Sequence, residues 1–287
     1  MGKEEFKPDL ELIEAFLRFA LEEDLGSGDH TSLATIPEEI EGRMKLLIKD
    51  SGIIAGIDLA KIIFRFIDSG IQFESILRDG NLVTTGEIAF YVQGKVHSLL
   101  KAERLVLNCM QRMSGIATMT HQIVEQLKST HTHILDTRKT TPGFRYFEKW
   151  AVLIGGGVNH RFGLYDAILI KDNHVDFAGG IENALNMVKT YILKNEIQIP
   201  IIIEVRSFLE LDKVLEIGGV DRILLDNFPV QDLARAVRLV DGKIPLEASG
   251  GISSENVLEY AQTGVDYISL GAITHSHPNF DLSLKAL

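Results

Sequence analysis

Apolar positions recur at helical spacing from Leu10 to Glu23 (Leu10, Ile13, Phe16, Leu17, Ala20, Leu21), and the polar, glycine-bearing run from Asp24 to Asp29 ends the pattern. The spacing predicts an opening helix followed by a loop. Short strand-like runs come next at Arg43 to Lys49, Ile71 to Leu77 and Ile88 to Gln93, with a helical stretch at Asp58 to Ile67 and turns at Asp79-Gly80-Asn81 and Thr85-Gly86. Together they predict a small α/β layer. From Ser98 to Lys128 the pattern is helical but interrupted at Ser114-Gly115, which predicts two helices or a bend at the junction with a second domain. The boundary expected there separates residues 1–115 from residues 116–274.

Beyond it the rhythm changes. Apolar runs at Ile134-Leu135, Ala167 to Ile170, Ile201 to Val205, Ile223 to Leu225, Leu246 to Ala248 and Tyr267 to Leu270 alternate with helix-like segments. Short, continuously apolar runs are what strands buried on both faces of a parallel sheet look like. Polar groups follow each run: Asp136 to Lys139, Lys171 to His174, Glu204, Asp226-Asn227, Ser249 to Gly251 and Gly271. Barrel enzymes build their sites at C-terminal strand ends of this kind. An open doubly wound sheet would do the same, but it would normally carry a glycine-rich fingerprint after its first strand, and none is present. A parallel β/α barrel is therefore the expected architecture.

The composition, 45% hydrophobic and 24% charged, is that of a soluble globular protein. No segment offers the roughly 20 uninterrupted apolar residues of a membrane helix. Met1 to Pro8 is polar, without the apolar core of a secretory signal, so the expected location is cytoplasmic. A single cysteine, Cys109, excludes an internal disulfide or a thiolate cluster, and its apolar helical surroundings read as a buried small hydrophobe. The net charge of -11 argues against a nucleic-acid partner, which would need a broad basic face.

Against that acidic background, Arg138, Lys139, Arg145, Lys149, His160, Arg161, Lys171 and His174 crowd into one stretch around the triple glycine Gly155-Gly156-Gly157. Surface charges are dispersed, whereas these border buried strands, so they predict a pocket for a multiply charged small anion. Glu204 and Asp226 end successive strands, and their carboxylates suit Mg2+ or ribose hydroxyls, or else a pairing with a neighbouring lysine. Ser249-Gly250-Gly251 precedes an expected helix start and, with Gly271, offers backbone donors for a phosphate; alternatively the glycines simply turn a strand into a helix. His131 with His133, and His275 with His277, share alternate spacing but lack a third metal ligand.

Several of these stretches form motifs: Asp136-Thr137-Arg138-Lys139-Thr140-Thr141-Pro142-Gly143, Gly155-Gly156-Gly157-Val158-Asn159-His160-Arg161 and Ile170-Lys171-Asp172-Asn173-His174. With Glu23 to Ser32, Glu103-Arg104, Gln111 to Thr118, Leu225 to Phe228 and Ser249 to Ile252, they closely resemble the quinolinate phosphoribosyltransferase family, and the likeness spans nearly the whole chain. The resemblance implies an N-terminal α/β sandwich plus an open, TIM-like parallel β/α barrel of fewer than eight strands, with residues 275–287 packing back on the first domain. It implies transfer of phosphoribose from phosphoribosyl pyrophosphate to quinolinate with decarboxylation, in a homodimer or higher assembly with shared active sites. Arg138, His160, Arg161 and Lys171, with Arg104 from the other subunit, would hold the quinolinate carboxylates, and Lys139 would serve both substrates. Glu204 and Asp226 would address the ribose and Mg2+, and Ser249, Gly250, Gly251 and Gly271 the 5-phosphate. Lys139, Lys171, Glu204 and Asp226 are the catalytic candidates. Ile202 and Arg206 depart from the family's alternating acids around Glu204, and Trp150 stands where tyrosine is common, a packing substitution.

Overall fold

The computed structural model describes residues 8–287, so all but the last residue of the polar opening segment lies outside it. In chain order the elements are α1 (Leu10–Leu25), α2 (His30–Thr35), β1 (Glu41–Ile48), β2 (Gly52–Ile53), α3 (Ile57–Ile67), β3 (Gln72–Ser75), β4 (Leu82–Val83), β5 (Ile88–Lys95) and α4 (Val96–Gln126). They continue with β6 (His133–Leu135), α5 (Arg145–Ile154), β7 (Ile168–Ile170), α6 (Asp172–Ala178), α7 (Ile181–Asn195), β8 (Ile201–Val205) and α8 (Phe208–Ile217). The last are β9 (Arg222–Asp226), α9 (Val230–Val240), β10 (Leu246–Ser249), α10 (Val257–Ala261), β11 (Tyr267–Ser269), α11 (Ala272–His275) and β12 (Leu282–Ala286). The chain divides into two compact units: the described residues up to His121 with Thr140–Gly156 and Ser276–Leu287, and Gln122–Lys139 with Gly157–His275. Segment Thr140–Gly156, which carries α5, thus belongs to the first unit.

In the first unit an antiparallel sheet runs β12-β1-β5-β3. β1 buries every second side chain, Met44, Leu46 and Ile48, as a strand with one face on a core must. β12 pairs with β1 in antiparallel register, Leu46 opposite Leu284. Helix α3 buries Ile57, Ala60, Ile63 and Phe64 along one stripe, and the Phe64 ring meets Phe73 and Phe90 at centroid distances of 6.1 and 6.2 Å. Cys109 is buried, which pushes its thiol up to about 12 and leaves it inert as a nucleophile. Trp150 is also buried, edge-on to Tyr146 at 6.4 Å.

The break expected at Ser114-Gly115 is absent, because α4 runs unbroken from Val96 to Gln126. Ser114 spends its hydroxyl outside the helix, accepting the Ala55 N–H at 2.9 Å and donating to the Ala55 carbonyl at 3.1 Å. A Cβ at position 115 would fall 2.1 Å from the Pro278 carbonyl oxygen. Glycine is there for close approach of backbone, not to end a helix. The same holds for Gly155, whose Cβ would lie 2.5 Å from the Ala117 carbonyl oxygen.

The second unit is a six-stranded parallel sheet in the order β6-β11-β10-β9-β8-β7. From β7 to β11 each new strand is added on the same side, and β6 completes the row. A doubly wound sheet would reverse direction at a switch point, and this one never does. The chain-consecutive strands β6 and β7 are its two edges, so this is a barrel left open between them. Leu169, Ile202 and Leu224 pack together as an apolar layer within it. Ile202, one of the departures around Glu204, therefore has a packing role. Among the described residues no helix is long and apolar enough to cross a membrane.

Gly115→Ala should cost about 3 kcal/mol, the upper end of what overpacking exacts. Urea unfolding checks this, and an unchanged midpoint would show that the Pro278 backbone yields freely.

Candidate active site

Strand periodicity sends alternate residues of the second unit to the same place. Residues 169 and 171, 204, 224 and 226, 247 and 249, and 269 and 271 all line one cavity of about 600 Å³, together with Thr137, Arg138, Lys139, His160 and Arg161. The cavity lies at the C-terminal ends of the parallel strands, where the polar residues were expected.

Lys171 follows β7 and caps α6. Its backbone N–H donates to Nδ1 of His174 at 3.0 Å, and its Nζ lies 3.8 Å from Glu204 Oε2. Burial raises the pKa of Glu204; Lys171 pulls it down, and Asp226 pushes it up again. Asp226 accepts from the side-chain amide of Asn227 at 2.7 Å. Asn227 is left-handed, with φ of 54°, and donates its backbone N–H to the Ser249 carbonyl at 2.8 Å. Gly250 has φ of 93°, and a Cβ there would fall 2.2 Å from Asn227 Oδ1. Both features demand glycine, so the turn after β10 is locked to the turn after β9. The helix expected directly after these glycines begins only at Val257 and is short. Any phosphate affinity here must therefore come from loop N–H groups rather than from a helix terminus.

Gly271 makes room for Lys139: a Cβ would lie 2.9 Å from Lys139 Cδ. The Lys139 carbonyl accepts from the Thr274 hydroxyl at 2.9 Å, and its N–H donates to the Thr137 hydroxyl at 3.0 Å. Arg161 donates through Nη1 to the Ala167 carbonyl at 3.1 Å, while its buried Nε has no hydrogen-bond partner among the described residues. Burial, and then the neighbouring Arg138 guanidinium, lower the pKa of Arg161, with Asp166 acting in the opposite sense. Two like charges share a partly dry wall, an arrangement that favours an anion.

Not every cation of the sequence cluster arrives here. Lys149 is buried in the first unit, and Arg145 donates to the Thr140 hydroxyl at 2.9 Å in that same unit. His174 uses its ring to cap α6. Arg104 lies exposed on α4 in the first unit and is not among the residues lining the cavity. Of the paired histidines, His275 lines the cavity while His277 lies in the first unit; among the described residues no group of three or more His, Cys, Asp or Glu could hold a metal. The residue missed by sequence reasoning is Glu247, fully buried and lining the cavity. Its signal was a carboxylate in the middle of an otherwise apolar strand.

Residues 116–285 match the family described as "Quinolinate phosphoribosyl transferase, C-terminal domain", and residues 29–114 match its N-terminal domain. The chain belongs to the quinolinate phosphoribosyltransferase family. It is 45% identical to "Quinolinate phosphoribosyltransferase [decarboxylating] 1b" of Nicotiana tabacum, over 95% of this chain and 82% of that protein. It is 40% identical to "Probable nicotinate-nucleotide pyrophosphorylase [carboxylating]" of Bacillus subtilis, over 91% of this chain and 89% of that one. The crystal structure of NadC from Streptococcus pyogenes superposes with a TM-score of 0.92 at 34% identity, covering 99% of this chain and all of that one. The family's fold, an antiparallel N-terminal sheet with a parallel open barrel, is the one described above.

Glu204 has a raised pKa, so its ionisation costs stability: the folded state binds this proton more readily than the unfolded one. Its favourable contribution is complete below the ordinary glutamate range and is lost as pH rises through the raised value. Glu204→Gln should therefore raise Tm at pH 7.5 by about 2 °C, with the gain shrinking towards pH 4.5. A lower Tm at pH 7.5 would contradict this reading of the site.

Proposed function

We propose that this protein transfers the phosphoribosyl group of phosphoribosyl pyrophosphate to quinolinate and releases CO2, pyrophosphate and nicotinate mononucleotide, a step of NAD biosynthesis. The observation that carries the proposal is one cavity, in a chain of this family, where Arg138, Lys139, Arg161 and Lys171 face Glu204, Asp226 and a glycine turn. Quinolinate is a dianion and its partner is more negative still. Their approach needs positive charge already in place, so that no solvent must reorganise as they meet.

Arg138, Arg161 and Lys171 take the two carboxylates, with His160 in the same wall. Arg104 of the partner subunit completes the clamp in a homodimer, which could assemble further to hexamers. Lys139, laid across Gly271, reaches both substrates. The loop N–H groups of Ser249, Gly250, Gly251 and Gly271 receive the 5-phosphate. The N1–C1 bond forms as the bond from C1 to the pyrophosphate oxygen breaks, and Glu204 or Asp226 stabilises the oxocarbenium character at C1. The bond from C2 to its carboxylate then breaks, its electrons pass into the pyridinium ring, and C2 takes a proton. Mg2+ fits as a cofactor held mainly through substrate oxygens, because Glu204 and Asp226 at the strand ends are too few for a cage and the third lining carboxylate, Glu247, is engaged by Arg222; Glu204 and Asp226 would be its ligands, and it would offset leaving-group charge. The cytoplasm is the compartment we assign.

Purified protein given quinolinate, phosphoribosyl pyrophosphate and Mg2+ should release CO2 and nicotinate mononucleotide in equal amounts. Nicotinate consumed at a comparable rate would refute the assignment, since a monoacid leaves clamp cations unpaired. Arg138→Ala or Lys171→Ala should raise the KM for quinolinate by about 100-fold. Glu204→Ala or Asp226→Ala should instead lower kcat by about 100-fold. Identical behaviour of the two groups in steady-state kinetics would dissolve the division of roles.

A further inference from the structure

Behind the cations that face the cavity, a second line of charge runs through the strands. Glu247 on β10 is fully buried; its Oε2 accepts from Arg222 Nη1 at 3.1 Å and lies 3.4 Å from His160 Nε2. Arg222 is fixed from its far side by the ring of Tyr267, 4.1 Å below the guanidinium carbon. On the other side of the imidazole, His160 Nδ1 accepts the backbone N–H of Arg161 at 2.8 Å. The backbone N–H of His160 itself goes to Oδ1 of the buried Asp136 at 2.7 Å.

These contacts fix the state of the ring. A nitrogen that accepts a hydrogen bond carries no proton, so the ring proton sits on Nε2 and points towards Glu247. An imidazolium would set an Nδ1–H against the N–H of Arg161. It would also add a third positive charge beside Arg138 and Arg161, which already repel each other. The carboxylate gives no reason for one, because Arg222, a permanent cation and the nearer donor, already matches its charge.

We propose that Glu247 is a positioning residue: through a neutral His160 it holds the backbone of Arg161 in place at the cavity, and His160 contributes no positive charge to anion binding. The cation wall is then Arg138, Lys139, Arg161 and Lys171, and the buried row Arg222, Glu247, His160 is the brace behind it. The brace matters because the guanidinium it carries has its Nε buried and, among the described residues, is held by a bond to the Ala167 carbonyl. A displacement of about 1 Å of such a group is enough to cost a site much of its catalysis. The proposal rests on the quinolinate reading for the identity of the ligand, but not for the state of the ring.

The test reads both. In long-range 1H–15N spectra of protein labelled with 15N-histidine, the resonances of His160 are identified by their loss in His160→Gln. At about pH 7.5 they should show the pattern of a neutral Nε2–H ring, and an imidazolium or Nδ1–H pattern would overturn the proposal. Glu247→Leu should disturb that pattern and raise the KM for quinolinate by about tenfold or more, with a smaller change in kcat. Glu247→Gln, which keeps an acceptor for both donors, should recover most of the loss. A Leu variant with unchanged spectrum and KM contradicts the brace, as does a Gln variant no better than Leu. Where the Leu variant does not fold, the wild-type and Gln spectra decide. A neutral Nε2–H ring in a protein that does not turn over quinolinate would sink the functional reading and leave the brace standing.

Discussion

Everything at this site turns on holding like charges close together at a cavity wall, with Arg161 partly buried and Arg138 beside it exposed. Arg138 stands close enough to Arg161 to disfavour its charge, and Arg161 has part of its guanidinium buried without an acceptor among the described residues. Such a wall is costly in the free protein and becomes favourable when an anion fills it. The acids nearby offset it only in part, Asp166 acting on Arg161. Glu204 lies 3.8 Å from Lys171, one of the wall's own cations, and Glu247 is engaged by Arg222 and His160. Although burial alone would raise the pKa of Glu247, His160, Arg222 and Ser269 bring it below the ordinary range, so it stays charged and keeps the brace oriented.

The fold supplies this arrangement through strand periodicity. A parallel strand presents every second side chain to the barrel interior, so an apolar residue one layer down (Leu169, Ile202, Leu224) is followed by a polar one at the mouth (Lys171, Glu204, Asp226). The apolar layer keeps the floor dry, which strengthens every electrostatic interaction above it. The turns are then tied to one another: Asn227 to Ser249, Gly250 against Asn227, Lys139 across Gly271. Groups held on strand ends and mutually locked turns need little reorganisation when charge develops, the condition under which electrostatic stabilisation is largest.

Much of this could be read before any coordinates were in hand. The six barrel strands coincide with the short apolar runs, because strands buried on both faces leave an unmistakable signal, and the polar residues after each run gather in one cavity. Local signals failed where the cause lay far away in the chain. Ser114-Gly115 read as two helices or a bend; the helix is a single one, the reason for glycine is the Pro278 backbone, and no local pattern encodes that contact. Arg145, Lys149 and His174 sat among the site cations in sequence yet serve the first unit or a helix cap, since proximity along the chain says nothing about which face a residue takes. Glu247 was overlooked because its neighbours are apolar, although a charged residue within a buried strand always needs a partner and so points to one.

The most direct test of a cavity built to take a doubly charged acid is calorimetric titration of the protein with quinolinate and, separately, with nicotinate, at low and at high salt. Quinolinate should bind about 100-fold more tightly than the monoacid, and its affinity should weaken more steeply with added salt. Equal affinities, or a preference for nicotinate at both ionic strengths, would contradict the central claim that the cation wall exists to neutralise two carboxylates.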